Sequence, residues 1–386
     1  MEAVNICAYA RTPVGKFRGL LSDYSATDLG AMTIRELLKR VDINPKEDLI
    51  DQLYMGQVLQ GGAGQAPARQ VALGAGMSFG TPCTTINKVC GSSLKAVMIG
   101  ASDIRAKMAN LVIAGGMESM SNAPYFINNP SKESAINFSD LESILSHDGL
   151  KDAYSGEMMG NTGETVAIDF GITREQSDSF AVRSHVLANK GWIEGWLKKE
   201  TFEVNGVFKD EGIRPGTSIG KLRNLRTIFS DVGQVTAGNA SQLSDGASAI
   251  LIASDDAVKK FNLPILAKII DYTTSGVEPS KVMSAPILAV EILLKRNSLN
   301  ITDIDLLEHN EAFASASCAV KTTLKVSEDK FNPHGGAVAI GHPLGATGTR
   351  CLMTLVNALE RTSGRRGIVT ICLGGGNAVA MLIERN

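Results

Sequence analysis

Three residues of this 386-residue chain sit in patterns that suit nucleophilic and acid/base chemistry. Cys90 lies in "NKVCGSSLKA", between an apolar approach and small residues that read as the start of a helix. Unpaired backbone N–H groups at a helix start favour a thiolate, lowering the thiol pKa from its free value of about 8.5. The small Gly91, Ser92 and Ser93 let a carbonyl approach the backbone, where the N–H of Cys90 can bind an oxyanion. His342 lies in "GHPLGATG", where Pro343 biases it toward an extended conformation and nearby glycines permit close contact with a ligand. Cys372 lies in "IVTICLGGGNA", an apolar strand whose three following glycines offer N–H groups to an anion. Two thiols and a histidine without metal-ligand spacing suggest a nucleophile with acid/base partners. Each has a plainer alternative: a thiol packed under a helix start, a polar surface loop and a core cysteine. Asn310 and Glu311 in "EHNEAFAS" follow an apolar strand pattern, where Asn310 either orients a water or caps a helix beginning near Glu311. Glu311 suits hydrogen bonding to backbone.

An internal repeat tells which elements carry these residues. "IRELLKRVDINPKEDLIDQLYMGQV" parallels "VEILLKRNSLNITDIDLLEHNEAF": a helix ending in LLKR, a polar turn, then a strand beginning near an Asp. Leu37 and Leu293 are 256 residues apart, and Asp51 and Asp305 are 254 apart. Extended, the register sets the Cys90 loop of one half against the His342 loop of the other, each followed by a helix and an apolar strand ending in glycines. If the halves pack about a pseudo-twofold axis, the two loops face each other. Alternating helices and strands imply a mostly parallel sheet covered by helices, with the ligand crevice at strand ends. Between the halves, residues 118 to about 245 read as a lobe over the crevice, with one helix capped by Thr173 and Gln176.

Composition narrows the class. Hydrophobic residues at 44% and charged residues at 20% fit a globular protein, and a net charge of −2 gives no electrostatic case for nucleic acid or an anionic membrane. No apolar run reaches the ~18 residues that span a bilayer, and "MEAVNICAYARTP" lacks a basic n-region, so a cytoplasmic protein is expected. The six cysteines show no CxxC or Cys/His ligand spacing, so no metal site is expected.

In order along the chain, "CGSSLKA", "AGGMESMS", "VTAGNASQLSDGAS", "NEAFA", "GGAVAIGHPLGATG" and "CLGGG" resemble the signatures of the thiolases, and the resemblance covers essentially the whole sequence. It implies an α/β fold of two repeated halves in a five-layered αβαβα arrangement, with 1–117 and 246–265 as the first half. The inserted loop domain would be 118–245, covering the coenzyme A site, and the second half 266–386. It implies a homotetramer or homodimer, with acetyl-CoA, acetoacetyl-CoA and CoA as substrates and products and no cofactor. By the same resemblance Cys90 is the acylated nucleophile, with the N–H groups of Cys90 and Gly374 as its oxyanion hole. His342 activates Cys90 and, with a water on Asn310, forms a second oxyanion site. Cys372 takes a proton from the second acetyl-CoA. Ser241 matches a pantetheine contact, and Met159 and Phe313 match acyl-pocket residues. Lys221, Arg214, Arg223 and Arg226 lie just before the Ser241 motif, and among them Lys221 and Arg214 are the expected partners of the CoA phosphates.

The sequence departs from the family pattern at Met158, where many short-chain biosynthetic thiolases have histidine, at His334 for asparagine, at Gln242 for glycine, and in "VMSAPILAV". These bear on pocket shape and chain length. The expected activity is acetyl-CoA C-acetyltransferase. Alternatives are a degradative 3-ketoacyl-CoA thiolase of longer chains and a non-catalytic acyl-CoA or lipid carrier, which the retained Cys, His, Cys and Asn set disfavours. A decarboxylating ketoacyl synthase would carry a second histidine where this chain has Cys372.

Overall fold

The computed structural model describes residues 2–47, 49–128 and 137–385, so part of the polar stretch "NNPSKESAINFSD" in the insert lies outside the described residues. Its first half contributes β1 (Asn5–Arg11), β2 (Gln52–Gly56), β3 (Cys83–Ile86), β4 (Leu111–Ser119) and β5 (Ser244–Ala253). The second half contributes β6 (Ala267–Gly276), β7 (Leu306–His309), β8 (Arg366–Leu373) and β9 (Asn377–Glu384). The ladder order is β7-β8-β9-β6-β1-β5-β4-β2-β3. In the ladder the two halves join through Asn5↔Lys268 and Ile6↔Ala267. In each half parallel strands give way to antiparallel ones: β3, β2 and β4 run parallel, as do β7 and β8, while β5 and β9 run antiparallel to their neighbours. The counterpart of β3 in the second half shrinks to one parallel bridge, Leu307↔Phe331.

The repeat is visible atom by atom. Helices α1 (Ala26–Arg40) and α5 (Ala285–Arg296) both end at the Arg of LLKR. The carboxylate of Asp51 accepts the N–H groups of Asn110 and Leu111, and that of Asp305 accepts those of Arg365 and Arg366. An acid at the head of the strand thus pins the start of its neighbour in both halves, which is why the Asp belongs to the repeated pattern.

Helices α2 (Ser92–Arg105) and α7 (Thr347–Thr362), the two that follow the Cys90 and His342 loops, pack on each other between the sheets. Alternation along the strands explains the layering. Ile6, Val112, Ala114, Ile250, Val369 and Ile371 turn inward onto these two helices, while Leu111, Ile113 and Leu251 turn outward under α1. Leu307, Ile368 and Leu382 turn outward under α5 and α6 (Ala314–Thr323), completing the five layers. The helices cross closely at Gly348, where a Cβ would come 2.3 Å from the Leu94 nitrogen, and the Ser93 hydroxyl accepts the Thr349 N–H at 3.0 Å. The strand-end loops before α2 and α7 are therefore held side by side.

The inserted segment docks by charge as well as by packing. Its long helix Arg174–Ile193 begins with the expected capping box of Thr173 and Gln176. Arg11 at the end of β1 is 1% exposed; its guanidinium donates to Glu200 at 3.0 Å and to both carboxylate oxygens of Asp210 at 2.7 and 3.0 Å. Thr354 of α7 donates to Glu200. Arg11→Leu leaves two buried carboxylates without their cation, so a loss of about 3–5 kcal/mol is expected in urea denaturation. A loss below about 1 kcal/mol would contradict this account. Among the described residues no helix is long and apolar enough to cross a membrane.

Candidate active site

Beyond β3 the chain reverses at Val89, whose φ of +46° is left-handed, a costly conformation for a β-branched side chain. Three local hydrogen bonds hold it there: Val89 N–H to Asn87 Oδ1 at 3.0 Å, Lys88 N–H to Ser92 Oγ at 2.8 Å, and Ser92 Oγ–H to Val89 O at 2.6 Å. The turn lifts Cys90 above Gly91, the N-cap position of α2, and the backbone N–H groups of Cys90 and Gly374 favour its thiolate. Part of the Cys90 surface stays open to a cavity, yet the surroundings desolvate the thiolate. Burial pushes the thiol up to about 12, against the pull of those two N–H groups. The helix start was expected to lower it; with only two donors supplied, desolvation wins, and the thiol is protonated at rest.

His342 is 6% exposed. The Thr347 hydroxyl donates to Pro343 O at 2.9 Å, so its oxygen accepts Nδ1–H of His342 at 2.6 Å. This assigns the proton to Nδ1 and leaves Nε2 as the base, 3.3 Å from Asn310 Nδ2. Burial first, and the Arg350 cation second, lower the imidazole to about 3, keeping it neutral. Asn310 is fully buried past the end of β7, and its Oδ1 has no partner among the described residues. It caps no helix: α6 begins at Ala314 after Phe313. Glu311 does bind locally, accepting Val338 N–H at 3.2 Å, Ser184 Oγ–H at 2.6 Å and Asn332 Nδ2–H at 2.9 Å. Cys372 is buried near the end of β8, where burial first and the neighbouring Cys90 second raise its thiol.

Cys90, His342, Cys372, Gly374, Ser241, Met159 and Phe313 all line one cavity of about 60 Å³. Met159, Ser241, Phe313 and His342 also line a second, of about 420 Å³, together with Met158 and Gln242. Lys221 and Arg214 line neither. Both are exposed; Lys221 Nζ donates to Gly216 O at 2.7 Å, and the Arg214 backbone N–H donates to His185 Nδ1 at 3.1 Å. The departure at His334 lies outside both cavities: the ring is buried, accepts Arg361 Nε–H at 2.9 Å and stacks on Trp196 with centroids 5.0 Å apart.

Sequence reasoning missed several residues of the site. Gly149 and Leu150 reach the small cavity from a π-helical turn, Leu145–Leu150, whereas Val282 and Met283 enter it from the "VMSAPILAV" stretch, whose departure from the family pattern was read as bearing on pocket shape. Glu118, fully buried at the end of β4, accepts the N–H groups of Val58 at 3.1 Å, Leu59 at 3.1 Å and Gly345 at 2.8 Å. It fastens the His342 loop to the first half, and burial raises its carboxyl to about 7 despite those donors. A lone acid in the apolar "AGGMESM" was the available signal.

Family models for the thiolase N-terminal and C-terminal domains match residues 4–256 and 263–385. The chain is 40% identical, over the whole of both sequences, to a probable acetyl-CoA acyltransferase of Staphylococcus aureus and to an acetyl-CoA acetyltransferase of Pseudomonas aeruginosa. Among solved structures, human mitochondrial 3-ketoacyl-CoA thiolase in complex with CoA is similar with a TM-score of 0.95 and 37% identity, over 100% of this chain and 98% of that one.

Proposed function

The chain belongs to the thiolase family, and from that premise we propose that it is an acetyl-CoA C-acetyltransferase, condensing two acetyl-CoA to acetoacetyl-CoA and CoA and running the reverse thiolysis. The observation that carries the chain-length part is the size of the cavity at Cys90. A space of about 60 Å³ lined by Val282, Met283 and Phe313 supports a small acyl unit such as acetyl.

His342 Nε2 takes the proton of Cys90, and the thiolate attacks the thioester carbonyl. The oxyanion forms where the N–H groups of Cys90 and Gly374 point, at preorganised donors in a dry site. The departing CoA thiolate takes its proton from Cys372. Once acetylated, Cys90 has no thiol left to ionise, so no charge on it opposes the Cys372 thiolate. Buried among apolar groups it is a strong base, suited to the methyl of a second acetyl-CoA. The enolate oxygen is held by the protonated His342 and by a water on Asn310, whose buried Oδ1 is free to bind one. Attack on acetyl-Cys90 forms the new carbon–carbon bond, and the released Cys90 recovers its proton from His342.

The same reading places the pantetheine arm in the larger cavity past Ser241 and gives the CoA phosphates to Arg214 and Lys221. It retains the divisions 1–117 with 246–265, 118–245 and 266–386, a homotetramer or homodimer, a cytoplasmic location and no resident cofactor. A second reading, thiolysis of longer 3-ketoacyl-CoA, is favoured by Met158 and by the lining shared between the two cavities. Comparing kcat/KM for acetoacetyl-CoA with that for a C8 3-ketoacyl-CoA separates them. The C4 substrate is expected to be faster by about tenfold or more, and preference for C8 would sink the short-chain assignment.

A further inference from the structure

Gln242 lies between the two loops whose side chains meet at His342 and Asn310. On one side of it Ala240 bridges to Phe313, and the Ser241 N–H donates to Ala312 O at 2.9 Å, fixing the loop that carries Asn310. On the other side its carbonyl accepts the His342 N–H at 3.1 Å and the Ser244 hydroxyl at 2.8 Å. Its side-chain amide reaches Val338 O at 3.0 Å and Ala339 O at 3.2 Å, in the short helix Ala337–Ile340 that leads to His342, and Gly212 O at 3.1 Å, in the insert. That helix ends at Gly341 with φ +116°, where a Cβ would come 2.3 Å from Ser244 Oγ. The segment from Ala337 to His342 is thus held by Ser244 on one side and by the Gln242 amide on the other.

We propose that Gln242 is a positioning residue for the acyl transfer: with the two N–H groups of its amide shared among the carbonyls of Val338, Ala339 and Gly212, it sets His342 Nε2 in register with Cys90 and Asn310. The inference rests on the thiolase reading above. The family pattern has glycine here, so the role belongs to the way this chain holds its own His342 loop. An aliphatic side chain leaves two buried carbonyls of the Ala337–Ile340 turn without this donor, and a carboxylate would face three acceptors with a fourth. The penalty falls on geometry, because a misplacement of about 1 Å in an acid/base group costs on the order of 100-fold in rate. Substrate binding is affected much less, since Gln242 forms only one part of the wall of the larger cavity.

Gln242→Met keeps the length and apolar volume and removes every side-chain donor. Wild type is first treated with acetyl-CoA and the acetyl group located by mass spectrometry; absence of acetyl-Cys90 overturns the thiolase mechanism and this inference with it. Given the adduct, Gln242→Met is expected to lower kcat for acetoacetyl-CoA thiolysis tenfold or more while KM stays within about twofold, with the rate of Cys90 acetylation in a single turnover falling in parallel. An unchanged kcat, or a loss carried by KM, overturns the positioning role and leaves the mechanism standing. If Gln242→Met is recovered unfolded, the same two readouts are taken on Ser244→Ala, which removes the second acceptor of the His342 N–H, 3.2 Å away. It is expected to show the same split in weaker form, and wild-type kinetics there overturn the proposal.

Discussion

Cys90→Ala is expected to lower kcat in both directions on the order of 10⁴-fold or more, with no acetyl group found on the protein after treatment with acetyl-CoA. The size follows from the role: without the sulfur there is no covalent intermediate, and the oxyanion donors on Cys90 and Gly374 have nothing to stabilise. Folding should hardly change. Cys90 is only partly buried and sits on a turn secured by Asn87 and Ser92 rather than by its own side chain. An adduct of equal stoichiometry on the alanine variant would place the nucleophile elsewhere, and Cys372 would be the next candidate.

Cys372→Ser separates the two halves of the reaction. The hydroxyl is a far weaker acid and supplies almost no ionised base in the same apolar setting, so condensation is expected to fall by about 10²–10⁴-fold. Acetyl-Cys90 should still form, more slowly, because attack needs only Cys90, His342 and the two N–H donors; the departing CoA thiolate draws its proton from water. The check is a quench series with acetyl-CoA, following the adduct by mass and acetoacetyl-CoA by absorbance. Loss of the adduct together with the product would mean that acyl transfer itself requires Cys372.

Much of the fold was legible because its signals are local. The LLKR helices end where the repeat placed their ends, and Thr173 and Gln176 form the capping box that their spacing implied. The register between the Cys90 and His342 loops was legible too, since duplicated halves pack their equivalent helices together. Asn310 could be read as a cap or a site residue; the helix starts four residues later, and the ambiguity lay in a boundary that local sequence fixes poorly. Residues such as Glu118, Gly149 and Leu150 gave little signal, because an acid after an apolar strand or a Gly-Leu pair in a polar segment looks the same in a core as in a pocket.

By itself the sequence determined which atoms are available for chemistry: two thiols, an imidazole and an amide, carried on loops that a duplicated α/β architecture sets side by side. The tertiary structure decided their state. Whether Cys90 rests as thiol or thiolate depends on how completely the surroundings desolvate it against two N–H donors, and whether His342 offers Nε2 depends on a threonine that has already given its proton to a carbonyl. It also decided the size of the space at the sulfur. Electrostatics and cavity volume are sums over neighbours distant in the chain, and no local pattern carries a sum of that kind.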